Sequence, residues 1–108
     1  MPIQDKQKGL KAQRDAAQEV ATSALAFIAA DGERLVRFLA ETGLSPATLR
    51  EAAGRRSFGA GVLAFLISDE AMLVAFAAEK GLDPRHVVGA LEILAPQADP
   101  DATVRRPM

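Results

Sequence analysis

His86 is the one imidazole in the chain, and a side chain that titrates near neutral pH is the usual general base or metal ligand. It has no companions. There is no second His, no Cys and no His-x-x-x-His spacing, so no zinc-ligand set can be assembled around it. Glu41 and Glu79 offer a second chemistry. Each lies three residues after a Phe and two before a Gly-Leu pair. Brought together, such carboxylates would raise one another's affinity for a proton, but the expectation is two solvated residues near helix ends. Serines and threonines occur without a base in any recognisable nucleophile motif. Gly54, Gly59 and Gly61 follow no strand and match no phosphate-binding loop. No catalytic, cofactor or metal residue is therefore assigned, and no enzyme activity is expected.

Arg50, Arg55 and Arg56 remain as candidate contacts to a partner. Arg50 lies within, and Arg55 and Arg56 just beyond, a segment, Leu35 to Ala52, that is similar to a helix-turn-helix. Gly43-Leu44-Ser45-Pro46 would be the turn, and the three arginines could meet phosphates beside a groove. Two features weigh against nucleic acid. Leu39 stands where a small residue is usual, four places before the turn glycine. The same turn also recurs near Gly81, where Arg85 is the sole Arg or Lys on the following helix.

These residues are positioned by a repeated unit. Ala24–Ala53 and Val62–Leu91 align without a gap at an offset of 38 residues, and thirteen of thirty positions are identical. Leu25-Ala26-Phe27 matches Leu63-Ala64-Phe65. Leu35, Val36 and Phe38 match Leu73, Val74 and Phe76, and Gly43-Leu44-x-Pro46 matches Gly81-Leu82-x-Pro84. Each unit of roughly 35 residues is too small to bury a stable core alone. The fold expected is all-α, a compact bundle of about six helices formed by two tandem three-helix repeats related by a pseudo-two-fold.

Local signals set the helix ends. Unit one starts with a helix from Leu10 or Ala12 to Ala29, burying Ala17, Val20, Ala21, Ala24, Phe27 and Ile28. Asp31 caps a second helix that turns Leu35, Phe38 and Leu39 inward and ends at Gly43. Ser45-Pro46 opens a third, with Leu49, Ala52 and Ala53 inward and Gly54 ending the unit. In unit two, Ser57 caps a helix through Ile67, Asp69 caps Glu70–Lys80, and Pro84–Leu94 is the last helix. Phe58–Ile67 carries no charge and is expected to be covered all round, with Gly59 and Gly61 admitting a close neighbour. The uncharged run Ala71–Ala78 is likewise read as buried core. The division expected is a flexible polar arm at 1–9, one helical domain at 10–94 (units about 16–54 and 57–94), and a disordered tail at 95–108.

Composition limits the rest. Apolar residues make up 49% and charged residues 25% of 108, the balance of a globular protein in water. The longest uncharged runs fall short of the roughly 20 residues that span a bilayer, so no membrane partner is expected. Net charge is −1, with a pI near 5.8, whereas a dedicated nucleic-acid binder is expected to be basic. Residues 1–56 carry nine Lys or Arg against seven acids, and residues 57–104 carry two against seven. The lack of Cys and of an apolar leader fits a cytoplasmic location.

Over about residues 15–94 the chain resembles a family of small bacterial proteins, frequent in alphaproteobacteria, labelled only as a domain of unknown function. The resemblance rests on LAFIAADGERLVRFLAETGLSPATLREAAG, on VLAFLISDEAMLVAFAAEKGLDP and on similar length. It implies an all-helical cytoplasmic protein and brings no activity, cofactor or site residue. The reading that follows is a non-enzymatic domain that binds protein, itself or another, with no cofactor and no small-molecule substrate. DNA binding through residues 35–56 is the alternative.

Overall fold

The computed structural model describes the backbone of residues 2–55 and 57–95 and the side chains of residues 9–55 and 57–95. Arg56 and residues 96–108, including most of the expected tail, lie outside the described residues. Six helices follow in order: α1 Pro2–Ala29, α2 Gly32–Thr42, α3 Pro46–Ala52, α4 Phe58–Ile67, α5 Glu70–Lys80 and α6 Pro84–Leu94. There is no strand among the described residues.

The helix ends form where short-range chemistry requires them. Asp31 accepts from the N–H groups of Glu33 (2.9 Å) and Arg34 (3.3 Å), satisfying donors that α2 leaves free. Ser45 and Thr48 make a reciprocal capping box on α3. Each side-chain oxygen accepts from the other's backbone N–H, at 3.2 and 2.8 Å. Asp69 and Asp83 cap α5 and α6. Gly43 (φ 75°) and Gly81 (φ 67°) take the left-handed conformation that closes α2 and α5. The Leu44 and Leu82 N–H groups then reach back to the carbonyls of Leu39 and Ala77.

Ser57 departs from this pattern. It precedes α4 in helical conformation (φ −82°, ψ −4°), and its hydroxyl makes no cap. A capping side chain reaches the next turn from extended backbone, and the chain instead enters α4 through a tight turn, with Phe58 N–H on the Arg55 carbonyl at 3.2 Å. Three further expectations are corrected. α1 is helical from Pro2, ahead of the start at Leu10 or Ala12. α3 ends at Ala52, and Ala53 is exposed rather than inward. α4 is not covered all round. Gly61 and Ala64 are exposed, and their small size limits the apolar surface this leaves in water.

The core is one cluster. Ile28, Phe38, Val62, Leu63, Leu66, Phe76 and Val87 are fully enclosed, with Phe27, Phe65, Met72 and four alanines around them. No buried polar side chain occurs among the described residues. The rings meet edge to face: Phe27 with Phe76 at 5.4 Å, Phe38 with Phe65 at 5.2 Å and with Phe58 at 6.2 Å. α1, α4 and α6 pack mutually at the centre, α2 lies on α1, and α5 lies on α4 and α6.

Gly59 and Gly61 separate cleanly. A Cβ on Gly59 would stand 3.3 Å from Ala21 Cβ, 3.1 Å from Gln18 Oε1 and 3.2 Å from Leu94 Cδ1. The missing side chain is thus what lets α1 come so near α4. Gly61 meets nothing within 4 Å and has no such role.

The third helices differ. α6 packs on α1, α4 and α5, whereas α3 touches its neighbours only sparsely. Under the 38-residue offset, Arg50 and Ala53 stand where α6 has Val88 and Leu91. α3 also has seven residues against eleven. It lacks the apolar length to dock as α6 does.

Candidate interaction surfaces

Each predicted contact residue has a definite place, except one. Arg50 lies in the last turn of α3 and Arg55 in the turn before α4. Both are exposed, and neither makes an ion pair among the described residues. Arg56 lies outside the described residues. Arg55 stands at the rim of a groove of about 260 Å³ between α1 and α4, lined by Gln18, Thr22, Leu25, Phe58 and Val62 among others.

The polar residues considered for catalysis do not share the depressions beside His86. His86 is exposed at the start of α6, between two open depressions of about 340 and 400 Å³ along α1. One also holds Glu19 and Lys80, the other Gln13 and Arg85. Glu41 and Glu79 are exposed near the ends of α2 and α5 and line neither depression. No group of three or more His, Cys, Asp or Glu that could hold a metal occurs among the described residues.

A polar groove of about 260 Å³ separates α2 from α5 and is lined by Asp31, Glu33, Arg34, Arg37, Asp69, Ala71, Met72 and Ala75. Both of its arginines are committed within the chain. Arg34 stacks over the Phe27 ring at 4.0 Å and donates to the Phe27 carbonyl at 3.4 Å. Arg37 donates to Asp69 at 3.3 Å. The Met72 N–H, donating to the Asp69 carboxylate at 3.1 Å, is the main cause holding that group below its usual range. Partial burial opposes this, and Arg37 adds to it. Arg85 pairs with Asp83 at 3.0 Å, and here the side-chain hydrogen bond is the main cause holding the carboxylate low, with the Arg85 N–H adding to it.

A surface absent from the sequence reading lies on α5. Met72, Phe76 and Ala77 face the core, while Ala71, Val74, Ala75 and Ala78 are exposed along the opposite side at i, i+3, i+4 and i+7 spacing. The run was expected to be buried. It has a core face of larger side chains and an open face of small ones, both apolar, and hydropathy alone does not distinguish them. Glu70 and Glu79, both exposed, flank the open face. Val74 is 51% exposed, and Val36 on α2, which aligns with it at the 38-residue offset, is 66% exposed. The matched pair of outward valines was the available signal.

The N-terminal part of α1 also lacks cover. Every side chain from Leu10 to Ala16 is exposed, and Leu10 is 60% exposed although it lies on the line of buried Ala17 and Ala24, at seven-residue steps. No single helix among the described residues is long and apolar enough to cross a membrane. α4 and α5 together have the length and composition but meet at 109°.

No curated protein and no solved structure matches the chain. A family model described as Protein of unknown function (DUF3572) matches residues 14–97, from the last exposed turn of α1 to just past the end of α6. That span includes all five phenylalanines, both Gly-Leu-x-Pro turns and the open face of α5, and the chain belongs to that family.

Proposed function

We propose that this chain is a non-enzymatic protein-interaction domain whose working surface is the open face of α5. The observation that carries the reading is Val74, half exposed among Ala71, Ala75 and Ala78 on a helix whose other side is already packed. Single exposed apolar residues are ordinary on any protein, but a contiguous strip marks a surface that meets another molecule. The test compares wild type with Val74→Glu as baits in extract from the source cells, with light scattering on each purified protein. A partner or a self-associated state that the substitution removes is the expected result. A wild-type monomer that captures the same proteins as the variant would sink the reading.

The scaffold is read as a duplication with pseudo-two-fold symmetry. In support, Phe27 meets Phe76 while Phe65, its repeat equivalent, meets Phe38, the equivalent of Phe76. Gly59 likewise approaches Ala21, its own equivalent. The unequal docking of α3 and α6 is a later divergence in this reading.

DNA binding is kept as a second reading because α3 lies at the periphery with Arg50 and Arg55 exposed. It predicts a salt-dependent gel shift lost in Arg50→Ala/Arg55→Ala. No shift at low salt would remove it.

A further inference from the structure

We propose that the exposed N-terminal arm of α1 docks on the α5 face of a second copy of this chain, reciprocally, to give a two-fold dimer. The inference rests on the reading of the α5 face as an interaction surface and names its occupant. α1 is one continuous helix from Pro2 to Ala29, anchored in the core from Ala17 onward. About four turns therefore precede the anchored part, and an unbroken helix cannot fold back to cover its own α5. The arm presents Leu10, with Arg14 one turn further on and Lys11 beside it, all exposed. Lys6 and Lys8 precede them in the sequence, so that residues 1–16 carry four cations against Asp5 and Asp15.

The α5 face has the complementary character. Ala71, Val74, Ala75 and Ala78 form a shallow apolar strip between Glu70 and Glu79, and its Ala71–Ala75 edge borders the α2–α5 groove, where Arg37 is paired with Asp69 and Arg34 is stacked on Phe27. Small side chains leave room for a large one such as Leu10, and the flanking carboxylates suit a cationic helix. Residues 57–95 as a whole carry five acids against Lys80 and Arg85. Pairing α5 with a second α5 would set Glu70 and Glu79 of both copies against one another, and like charges across an interface are unfavourable. Arm on face sets opposite charges together, and two-fold symmetry makes the contact twice.

The experiment is analytical ultracentrifugation of the full chain across a concentration series at low and high salt, with circular dichroism to establish that each variant is folded. Wild type is expected to dimerise, more weakly at high salt. Lys11→Glu/Arg14→Glu and Glu70→Lys/Glu79→Lys should each weaken the dimer about tenfold or more, on the scale of close interfacial charge pairs. Mixing the two variants should restore a dimer, because each acidic arm then meets a basic face and each native arm meets a native face. Leu10→Asp should abolish association. A wild-type monomer throughout, a dimer indifferent to these substitutions, or a mixture that stays monomeric overturns the proposal. A monomer that still captures another protein through Val74 overturns the dimer while leaving the interaction reading standing.

Discussion

At the residue scale, two glycines two positions apart, on nearly opposite sides of α4, make opposite demands. Gly61 is exposed with open space around it, so Gly61→Ala should stabilise the protein by about 0.5–1 kcal/mol through helix propensity. Gly59 has Ala21, Gln18 and Leu94 within 3.1–3.3 Å of the position a methyl would take. Gly59→Ala should forfeit that gain, and Gly59→Leu should destabilise by about 1–3 kcal/mol through overpacking. Urea midpoints of the three variants check the order. Ser45 and Ser57 give a second contrast. Ser45→Ala removes a working cap and should cost about 1 kcal/mol, whereas Ser57→Ala should leave stability within about 0.5 kcal/mol.

Asp69 adds a dependence on pH. Its folded-state pKa is lowered from 3.8, chiefly by the Met72 N–H. Its contribution is therefore fully present above the unfolded value and is lost as pH falls through the folded one. Asp69→Ala should be less stable than wild type at neutral pH, and the gap should narrow only below about pH 4. A gap that stays constant down through that range would show that charge has no part in it.

At the element scale, caps and turns were legible because they are decided within four or five residues. Asp31, Ser45, Gly43 and Gly81 each do what a side chain of that type does at a helix end. Ser57 was not legible, because its role depends on how the α3–α4 turn delivers it, and that is set by packing. The open face of α5 was hidden for another reason. Ala71, Val74, Ala75 and Ala78 are as apolar as Met72, Phe76 and Ala77, so composition predicts burial on both sides. The loose docking of α3 could have been read, since Arg50 and Ala53 replace the Val88 and Leu91 of the matching helix.

If the repeat is a true duplication, double-mutant cycles on Phe27/Phe76 and Phe38/Phe65 should return similar coupling energies, each about 0.5–1.5 kcal/mol. Coupling in one cycle and none in the other would count against shared ancestry of the two contacts.

At the scale of the molecule, stability should be graded. α1, α4 and α6 share the centre, and α3 is attached mainly through Ala52 and half-buried Leu49. Amide hydrogen exchange should therefore show α3 opening at lower free energy than the central three helices. Uniform protection from Pro46 to Leu94 would mean that α3 is held more firmly than its packing indicates.

The near-touch of Ala21 and Gly59 reaches beyond this one chain. The gap between the crossing helices holds the methyl that α1 supplies, and a second would fit only if a neighbour gave by a few tenths of an ångström. Members of the family that keep this spacing work within that narrow allowance. A sequence with Ala at the second position should carry Gly at the first, and side chains larger than Ala should be missing from both.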